Sequence, residues 1–426
     1  MRIEITGGRL LDPSSQVDAE QDLFIADGVV ASVGARPDGF VADRKLDASG
    51  LCVIPGLVEL SARLRDPGQE YKANISSESS AAVARGITTL CIPPDTDPVV
   101  DAPAVVELIT RRARDYGVAN IEVIGALTHG LQSERIAEMY ALKEAGCIAM
   151  SNAGQTIGNT EIMRRAMEYA ATFDLTVMTS CEDPWLAKNR HAHGGSISFT
   201  LGLNPIPSAA ETIIVSRDLL LAEQTGARMH FCKLSSARSV DLIERARADG
   251  LEVTADVAAH QLFLTEADLG DFNTYCHVRP PLRTVADRDG LRAGIASGAV
   301  DVISADHQPH ELDAKMNPFI ETEPGISGLD TLLGLTLKLV EETKLPLLSA
   351  LATVTSNPAE IDRLNCGRLH AGAVADLCVV DINQSFTLSE STMRSRGKNS
   401  PFIGQDFKGV VRYTLVGGAL AFEDTL

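Results

Sequence analysis

The chain has 426 residues, of which 45% are hydrophobic and 22% charged, and its formal net charge is −19 at pH 7. This balance is typical of a globular protein that buries a substantial core. The negative charge disfavours phosphate backbones and anionic membrane surfaces, so we expect neither nucleic acid nor a membrane as a partner. No apolar run reaches the roughly 20 residues of a bilayer span, and the first residues do not form a signal peptide, which predicts a cytoplasmic protein.

The eight cysteines are scattered along the chain and form no C-x-x-C pair. Several lie within apolar runs, such as TTLCIPP and MHFCKLS. In a cytoplasmic protein this pattern predicts buried free thiols.

Strand-like segments open the chain. In residues 1–52, apolar and polar residues alternate around glycine turns in IEITGGRLLD and DLFIADGVVASVG, which predicts β-strands. Residues 365–426 alternate in the same way in ADLCVVDINQSFTL and GVVRYTLVGGALAF. The two terminal segments are therefore expected to pair into one small sheet domain, interrupted by everything between them.

The intervening residues 53–364 carry short apolar runs rich in β-branched residues, separated by segments with helical spacing such as APAVVELITRRARDYG. The eight runs are 53–60, 86–92, 121–127, 146–150, 175–180, 227–234, 251–257 and 301–306. Eight strand–helix units predict an α/β protein with a (β/α)8 TIM-type barrel. Chemistry in such a barrel lies at the carboxyl ends of the strands, so the functional side chains are sought there.

The motifs at those strand ends resemble one family. They include PGLVELSARLRDPG (55–68), TSCEDP (179–184), MHFCKLSSARSVDLI (229–243), ISADHQPH (303–310) and TSNPAEI (355–361). In order and over essentially the whole length, the chain resembles the dihydroorotases of the amidohydrolase superfamily. The resemblance implies a metal-centred barrel with a small β-sandwich domain formed by both termini, with the domains divided as 1–52, 53–364 and 365–426.

The family reaction is the reversible closure of carbamoyl aspartate to dihydroorotate, and it needs a metal-bound hydroxide. Zinc lowers the pKa of bound water from about 15.7 to about 7. At about 1.36 kcal/mol per pKa unit, this is on the order of 10 kcal/mol, more than an ordinary side chain supplies. The metal ions need histidine and carboxylate ligands for this chemistry.

The residues at the family's metal-ligand positions do not meet this need. Of six positions that the resemblance implies, only the aspartate after the eighth strand is present, as Asp306. The other five hold Ser61, Arg63, Ala153, Ser180 and Lys233. Serine is a poor zinc ligand, and protonated arginine and lysine repel a cation. We therefore expect no metal cofactor. We hypothesise that Arg63 and Lys233 replace the metal charge beside Asp306, because an unpaired buried carboxylate is costly.

The substrate-binding positions are mixed. Arg65 and His310 match family residues that contact the substrate, whereas Asp95 and Arg279 replace family asparagines. A carboxylate at Asp95 would repel an anionic substrate. The resemblance thus implies a vestigial pocket, a name used below for Ser61, Arg63, Arg65, Asp95, Ala153, Ser180, Lys233, Arg279, Asp306 and His310.

Other histidines and serines leave alternatives open. Asp306, His307 and His310 could hold a single metal ion, although a stable zinc site needs three or four well-placed ligands. The His-x-His of residues 191–193 is expected in a surface loop, since this spacing alone is a weak metal signal. His230 and His260 are expected to be hydrogen-bonded core residues. Ser61 and Ser180 lack an evident base for a nucleophilic role.

These observations predict a non-catalytic dihydroorotase-like protein. Within the family, inactive homologues associate with aspartate carbamoyltransferase, and the resemblance implies the same role here, as a structural or regulatory subunit in pyrimidine biosynthesis. We also expect a homodimer. One alternative is an active cyclic amidohydrolase with an unusual mononuclear site. Another is a sensor that binds an anion through Arg65 without reacting.

Overall fold

The computed structural model describes residues 1–424. The strands are β1 Ile3–Thr6, β2 Arg9–Asp12, β3 Val17–Glu20, β4 Leu23–Ala26, β5 Val29–Val33, β6 Arg44–Asp47, β7 Cys52–Pro55, β8 Leu57–Glu59, β9 Ile87–Ile92, β10 Asn120–Ala126, β11 Cys147–Ser151, β12 Thr176–Ser180, β13 Ala192–His193, β14 Pro205–Ile206, β15 Met229–Cys232, β16 Val253–Ala258, β17 Val302–Ser304, β18 Leu377–Thr387, β19 Asp406–Val416 and β20 Ala419–Glu423.

The helices between them are α1 Ile75–Val83, α2 Pro103–Tyr116, α3 Met139–Glu144, α4 Thr160–Thr172, α5 Ser196–Leu201, α6 Ala209–Thr225, α7 Ala237–Ala248, α8 Val285–Ser297, α9 Asp313–Met316, α10 Leu332–Thr343, α11 Leu347–Ala352 and α12 Ser356–Ile361. Short 3-10 turns cover His129–Leu131, Ala259–Leu262, Glu266–Leu269, Thr274–Cys276 and Phe319–Glu321. Within residues 1–424, none of the helices combines the length and the apolar character that a bilayer span requires.

Eight parallel strands form the barrel. In sheet order they are β8, β9, β10, β11, β12, β15, β16 and β17, and each overlaps one of the eight apolar runs of the sequence. The barrel closes between its first and last strands just beyond their ends. There Arg63 N donates to His307 O at 3.0 Å, and His307 N donates to Ser61 O at 2.9 Å. The predicted (β/α)8 class is confirmed.

Helix α4 illustrates how the outer layer forms. The Asn159 side chain accepts from the first free backbone N–H groups of the helix, which removes the cost of leaving them unpaired. Met163, Ala166, Met167 and Ala170 are then buried at a spacing of three and four residues. One apolar stripe therefore faces the barrel while the charged residues face solvent.

The terminal segments build a β-sandwich. One sheet has the order β5-β4-β1-β6, and the other has β20-β19-β18-β7-β2-β3. The second sheet joins both ends of the chain, because β7 pairs antiparallel with β18. Ile3 and Ile25 of the first sheet share a buried core with Val53 and Leu377 of the second. The sandwich formed by both termini is thus confirmed.

The sequence analysis treated residues 53–60 as one barrel strand, but the structure divides this run. β7 belongs to the sandwich, and β8 begins the barrel after Gly56. A side chain at Gly56 would meet Thr88 Oγ1 at 2.1 Å, so the chain passes β9 at a position where only glycine fits. The change of sheet therefore occurs inside a run that hydrophobicity alone presents as continuous.

Candidate functional site

The vestigial pocket lies at the barrel mouth, where strand ends converge. Asp306 follows β17 and is 2% exposed. Lys233, which follows β15, places its Nζ 3.2 Å from Asp306 Oδ1, and Arg63, which follows β8, places Nη1 3.5 Å from the same oxygen. Both cations that were expected to replace the metal charge are thus within salt-bridge distance of the remaining ligand.

The rest of the Asp306 carboxylate is also engaged. Ser61 Oγ lies 3.4 Å from Oδ1, and Gln308 Nε2 donates to Oδ2 at 3.0 Å. Burial raises the pKa of Asp306, but the charges of Lys233 and Arg63 outweigh burial and hold that pKa below its usual value. The carboxylate is therefore ionised at neutral pH, and its charge is offset by the protein itself.

Arg63 also balances a second carboxylate. Its Nε donates to Asp95 Oδ2 at 2.7 Å, and its side chain is 9% exposed. The sequence suggested that Asp95 is an unpaired negative charge in the pocket. In the structure it is paired with Arg63. The two cations and the two carboxylates form a four-residue charge cluster with no formal net charge: Arg63, Asp95, Lys233 and Asp306.

Three of the six metal-ligand positions in the vestigial pocket have a left-handed backbone, as does Arg65 with a φ of 63°. The φ angles are 52° at Ala153, 55° at Lys233 and 43° at Asp306. This conformation costs a non-glycine residue about 1–2 kcal/mol. Hydrogen bonds to neighbouring strands help to hold this backbone conformation, for example from Lys233 N to Asp256 Oδ1 at 3.0 Å. Strain of this kind clusters at functional sites, so the strand ends keep a specialised backbone although their side chains are unsuited to zinc.

Little space remains at the centre of the barrel mouth. The cavity beside Ser180 and Lys233 measures about 40 Å³, and the cavity between Arg63 and Asp95 about 10 Å³. A cavity of this size holds one or two water molecules, whereas small-molecule sites usually measure about 300–1,000 Å³. A larger cavity of about 770 Å³ adjoins the cavity beside Ser180, since Gly154, Glu182 and Arg279 line both.

The two family-type substrate contacts are held by neighbours. Arg65 Nε donates to Pro309 O at 3.1 Å, and its Nη2 lies 3.2 Å from His310 Nε2. His310 Nε2 also lies 3.0 Å from Pro324 O, and Lys72 Nζ lies 3.3 Å from Nδ1. Burial, followed by the charges of Arg65 and Lys72, lowers the pKa of His310 to about 2. The imidazole is therefore neutral, and both of its nitrogens are engaged.

Arg279 and Ser180 are likewise engaged within the chain. The guanidinium of Arg279 pairs with Glu182 and donates to Arg190 O at 2.6 Å. Ser180 Oγ donates to the carbonyl of Ala153. A hydroxyl that donates to a backbone carbonyl, with no basic partner, is not activated for nucleophilic attack.

The alternative metal site at Asp306, His307 and His310 is not supported. His307 Nε2 lies 2.9 Å from Glu78 Oε2, and Gly328 N donates to its Nδ1 at 3.2 Å, so both ring nitrogens are engaged. In the part of the chain that the structure describes, the group with metal-ligand spacing is a different one, formed by His230, Cys232 and Asp256.

His230 and Asp256 of this group are buried in the barrel interior and hydrogen-bonded there. His230 is fully buried, and its nitrogens lie 2.8 Å from Thr254 Oγ1 and 2.9 Å from Asp256 Oδ2. Asp256 Oδ1 accepts from Lys233 N and from Ser304 Oγ. The arrangement fits the core role expected of His230. His260 is buried as well, and burial lowers its pKa to about 4.

The His-x-His of residues 191–193 does not lie in a fully exposed loop. His193 belongs to β13, is 6% exposed and approaches Arg283 Nη1 at 3.3 Å. Burial and the Arg283 charge lower its pKa. The expectation of a surface loop was wrong for His193. The glycines after it suggested exposure, but β13 pairs with β14 and His193 is buried by tertiary packing.

Sequence reasoning missed several residues that shape the site. Glu59 accepts from Ser61 N at 2.9 Å and from Ala305 N at 2.5 Å, which ties the first barrel strand to the last. Burial raises the pKa of Glu59 to about 8. Gln308 and Lys72 were also missed, because their partners are set by tertiary structure. Glu59 could have been found from its position two residues before Ser61, on the same face of the strand.

Comparison with known proteins places the chain in a family. Residues 50–239 match the family model described as Dihydro-orotase-like. A Dihydroorotase-like protein of Pseudomonas aeruginosa is 49% identical over 99% of this chain and 100% of its own length. The chain belongs to the dihydroorotase-like family. A protein named Dihydroorotase from Geobacter sp. (strain M21) is 41% identical, again over 99% of this chain and 100% of its own length. The family predicted from the strand-end motifs is thus confirmed.

Solved structures agree with the fold. L-Hydantoinase (Dihydropyrimidinase) from Arthrobacter aurescens matches with a TM-score of 0.89 at 23% identity, over 99% of this chain and 96% of that chain. A D-hydantoinase matches with a TM-score of 0.86 at 19% identity, over 100% of this chain and 96% of that chain. At these identities the likeness establishes the barrel and sandwich alone.

The donor set of this dihydroorotase-like chain does not fit the metal ions of the family reaction. Asp306 is ion-paired with two protein cations, and a metal ion would have to displace Lys233 and Arg63 to reach it. Ser61, Ala153 and Ser180 then offer no imidazole or carboxylate to complete its coordination.

Proposed function

We propose that this chain is a non-catalytic member of the dihydroorotase-like family and acts as a structural or regulatory subunit of an aspartate carbamoyltransferase complex in pyrimidine biosynthesis. The observation that carries the non-catalytic part is the pairing of Asp306 with Lys233 and Arg63. Five of six ligand positions are unsuited to zinc, and the sixth is engaged by protein cations.

The energetics of the reaction support this part of the proposal. Making hydroxide at neutral pH without a metal ion leaves on the order of 10 kcal/mol unsupplied. The cavity of about 40 Å³ beside Lys233 is also too small for carbamoyl aspartate. Arg65 and His310, which would hold the substrate, are each hydrogen-bonded to a backbone carbonyl, Arg65 to that of Pro309 and His310 to that of Pro324.

The partner is proposed from the family resemblance together with the retained fold. The barrel remains closed and its strand ends keep their strained backbone, although the metal ligands are replaced. We infer that the fold is retained for a different role, of which a protein–protein interface is the simplest. Large apolar side chains are exposed in segments that follow barrel strands, with Trp185 at 76%, Leu312 at 64% just before α9, and Met316 at 71% at the end of that helix. Exposed apolar surface of this kind is common at protein–protein contacts.

The test is co-purification of the full chain with the aspartate carbamoyltransferase of the same host. The mixture is separated by size, the mass of each peak is measured, and transcarbamoylase activity is assayed with the chain and with an equal amount of an inert protein. We expect a complex of defined mass whose transcarbamoylase activity or assembly depends on the chain. Separate elution with unchanged transcarbamoylase activity would contradict the proposed partner. It would not bear on the proposal that the chain is non-catalytic, which the zinc and turnover measurements test separately.

A further inference from the structure

A cavity whose lining has more cations than carboxylates lies beside the vestigial pocket, at the edge of the barrel mouth. It measures about 250 Å³, and its cationic residues are Lys315, Arg396 and Lys398. Lys315 lies in α9, after the last barrel strand, whereas Arg396 and Lys398 lie between β18 and β19. Two distant segments of the chain thus bring three cations to one cavity.

These cations have no carboxylate partner among residues 1–424: no Asp or Glu oxygen lies within 4.0 Å of their charged nitrogens. They donate to backbone carbonyls instead. Lys315 Nζ donates to the carbonyls of Thr274, His277 and Glu323. Lys398 Nζ donates to those of Met393 and Ser395, and Arg396 Nη1 to that of Glu70. The chain has 57 acidic and 38 basic residues. Unpaired cations gathered in one cavity of such an acidic protein indicate a site for an anion.

Lys315 adds to the excess of positive charge from a buried position. The residue is 4% exposed. Its pKa is lowered to about 7, chiefly by burial; Cys276 and Glu323 oppose this shift, and repulsion by Lys72 adds to it. An anion in the cavity would relieve this repulsion and stabilise the ammonium form.

One wall of the cavity is acidic. Glu311 and Glu390 contribute to the lining. Glu311 Oε2 is buried without a hydrogen-bond partner, and the nearest cation, Lys72, places Nζ at 3.9 Å. A buried oxygen that lacks a donor favours a ligand that supplies one. The cavity therefore suits a molecule with an anionic end and a hydroxyl or amino group.

The cavity adjoins the vestigial pocket at His310, which belongs to both. His310 lines the cavity and also contacts Arg65, which does not line it. The imidazole is held by Lys72 and Pro324. His310 thus forms a wall between the two spaces.

We propose that this cavity binds a small phosphomonoester that also carries a hydroxyl or amino group. The guanidinium of Arg396 is a planar donor for phosphate oxygens, and Lys315 and Lys398 add positive charge that favours a dianion. Glu311 accepts from the hydroxyl or amino group. This binding site goes beyond the proposed function and does not depend on whether the chain is catalytic.

The experiment is isothermal titration calorimetry on the full chain at fixed ionic strength, with phosphoethanolamine, inorganic phosphate and succinate as separate probes. We expect phosphoethanolamine to bind tighter than phosphate, and succinate to bind at least about tenfold more weakly than phosphoethanolamine. The double variant Arg396→Gln, Lys398→Gln should weaken phosphoethanolamine binding at least about tenfold. Its matched control, Arg111→Gln, Arg114→Gln, changes two exposed arginines of α2 and should bind as the native chain does.

A second variant tests the acidic wall. Glu311→Gln keeps the size of the side chain but removes the charge, so it should bring phosphoethanolamine binding close to that of phosphate. Failure of the native chain to bind phosphoethanolamine would overturn the proposal. Equal affinity in the Arg396 and Lys398 double variant, or equal affinity for succinate, would overturn it as well. Thermal unfolding of each variant establishes that it is folded.

Discussion

Lys233 and Asp306 are 73 residues apart in the chain, yet the ammonium nitrogen of one lies 3.2 Å from a carboxylate oxygen of the other. They meet because β15 and β17 end at the same face of the barrel. Where the family reaction needs two metal ligands, this chain has an ion pair. The pair offsets two charges that would each be costly to bury alone.

Removal of the lysine should expose that cost. We expect Lys233→Met to lower the free energy of unfolding by about 3–5 kcal/mol, because Asp306 would keep its charge with one cation fewer. Urea unfolding followed by circular dichroism measures the loss. Lys188→Met, at an exposed lysine, is the control and should change stability by at most about 0.5 kcal/mol.

A double-mutant cycle then measures the interaction energy between Lys233 and Asp306, apart from the effect of each single substitution. Adding Asp306→Leu to Lys233→Met should restore part of the lost stability, since no unpaired charge would remain. Strictly additive losses would show that the two side chains do not interact.

The pH dependence of stability should reflect Asp306. Its pKa is lowered in the folded protein, so its contribution to stability is present above the unfolded pKa and is lost as the pH falls through the folded pKa. The native chain should therefore be more stable than Asp306→Asn at pH 7, and the difference should shrink below about pH 4. Unfolding midpoints of both proteins, measured across this range, check the sign. A difference that widens towards acid would contradict the assignment.

Restored ligands should recover metal binding. The strand ends keep their left-handed backbone at Ala153, Lys233 and Asp306, so suitable side chains at these positions should converge again. The restored variant carries Ser61→His, Arg63→His, Ala153→Asp, Ser180→His and Lys233→His. We expect it to bind zinc with an affinity that falls when Asp306→Ala is added. Zinc content measured after dialysis, with circular dichroism to verify folding, decides the outcome.

The cysteines should be unreactive until the protein unfolds. Cys91, Cys181 and Cys232 are examples in which burial raises the pKa well above its usual value, and all eight thiols are free. Because the thiolate is the reactive form, a thiol reagent should modify few or none of them in native buffer and all eight in denaturant. Fast reaction of several thiols in the native state would contradict this packing.

The sequence predicted what depends on local periodicity and on motif order. Eight apolar runs were enough to predict the barrel, and the motifs around Ser61 and Asp306 were enough to find the altered ligand positions. Pairing across the fold was not predictable to the same degree. Neither Lys72 beside His310 nor Gln308 beside Asp306 has a local signal, since each depends on how loops from different strands meet.

Two errors have the same physical origin. Gly56 separates a sandwich strand from a barrel strand within one apolar run, because β9 passes too close for a side chain. His193 is buried although its flanking glycines suggested an exposed loop. In both cases tertiary packing overrides a pattern that is read from neighbouring residues alone.

The barrel mouth cannot hold the metal ions that would convert bound water to hydroxide at neutral pH. The most direct test is to purify the full chain from zinc-supplemented cells, measure its zinc content and assay the interconversion of carbamoyl aspartate and dihydroorotate on the same sample. We expect zinc far below one ion per chain and no turnover above that of Asp306→Ala. Stoichiometric zinc with turnover that Asp306→Ala abolishes would contradict it.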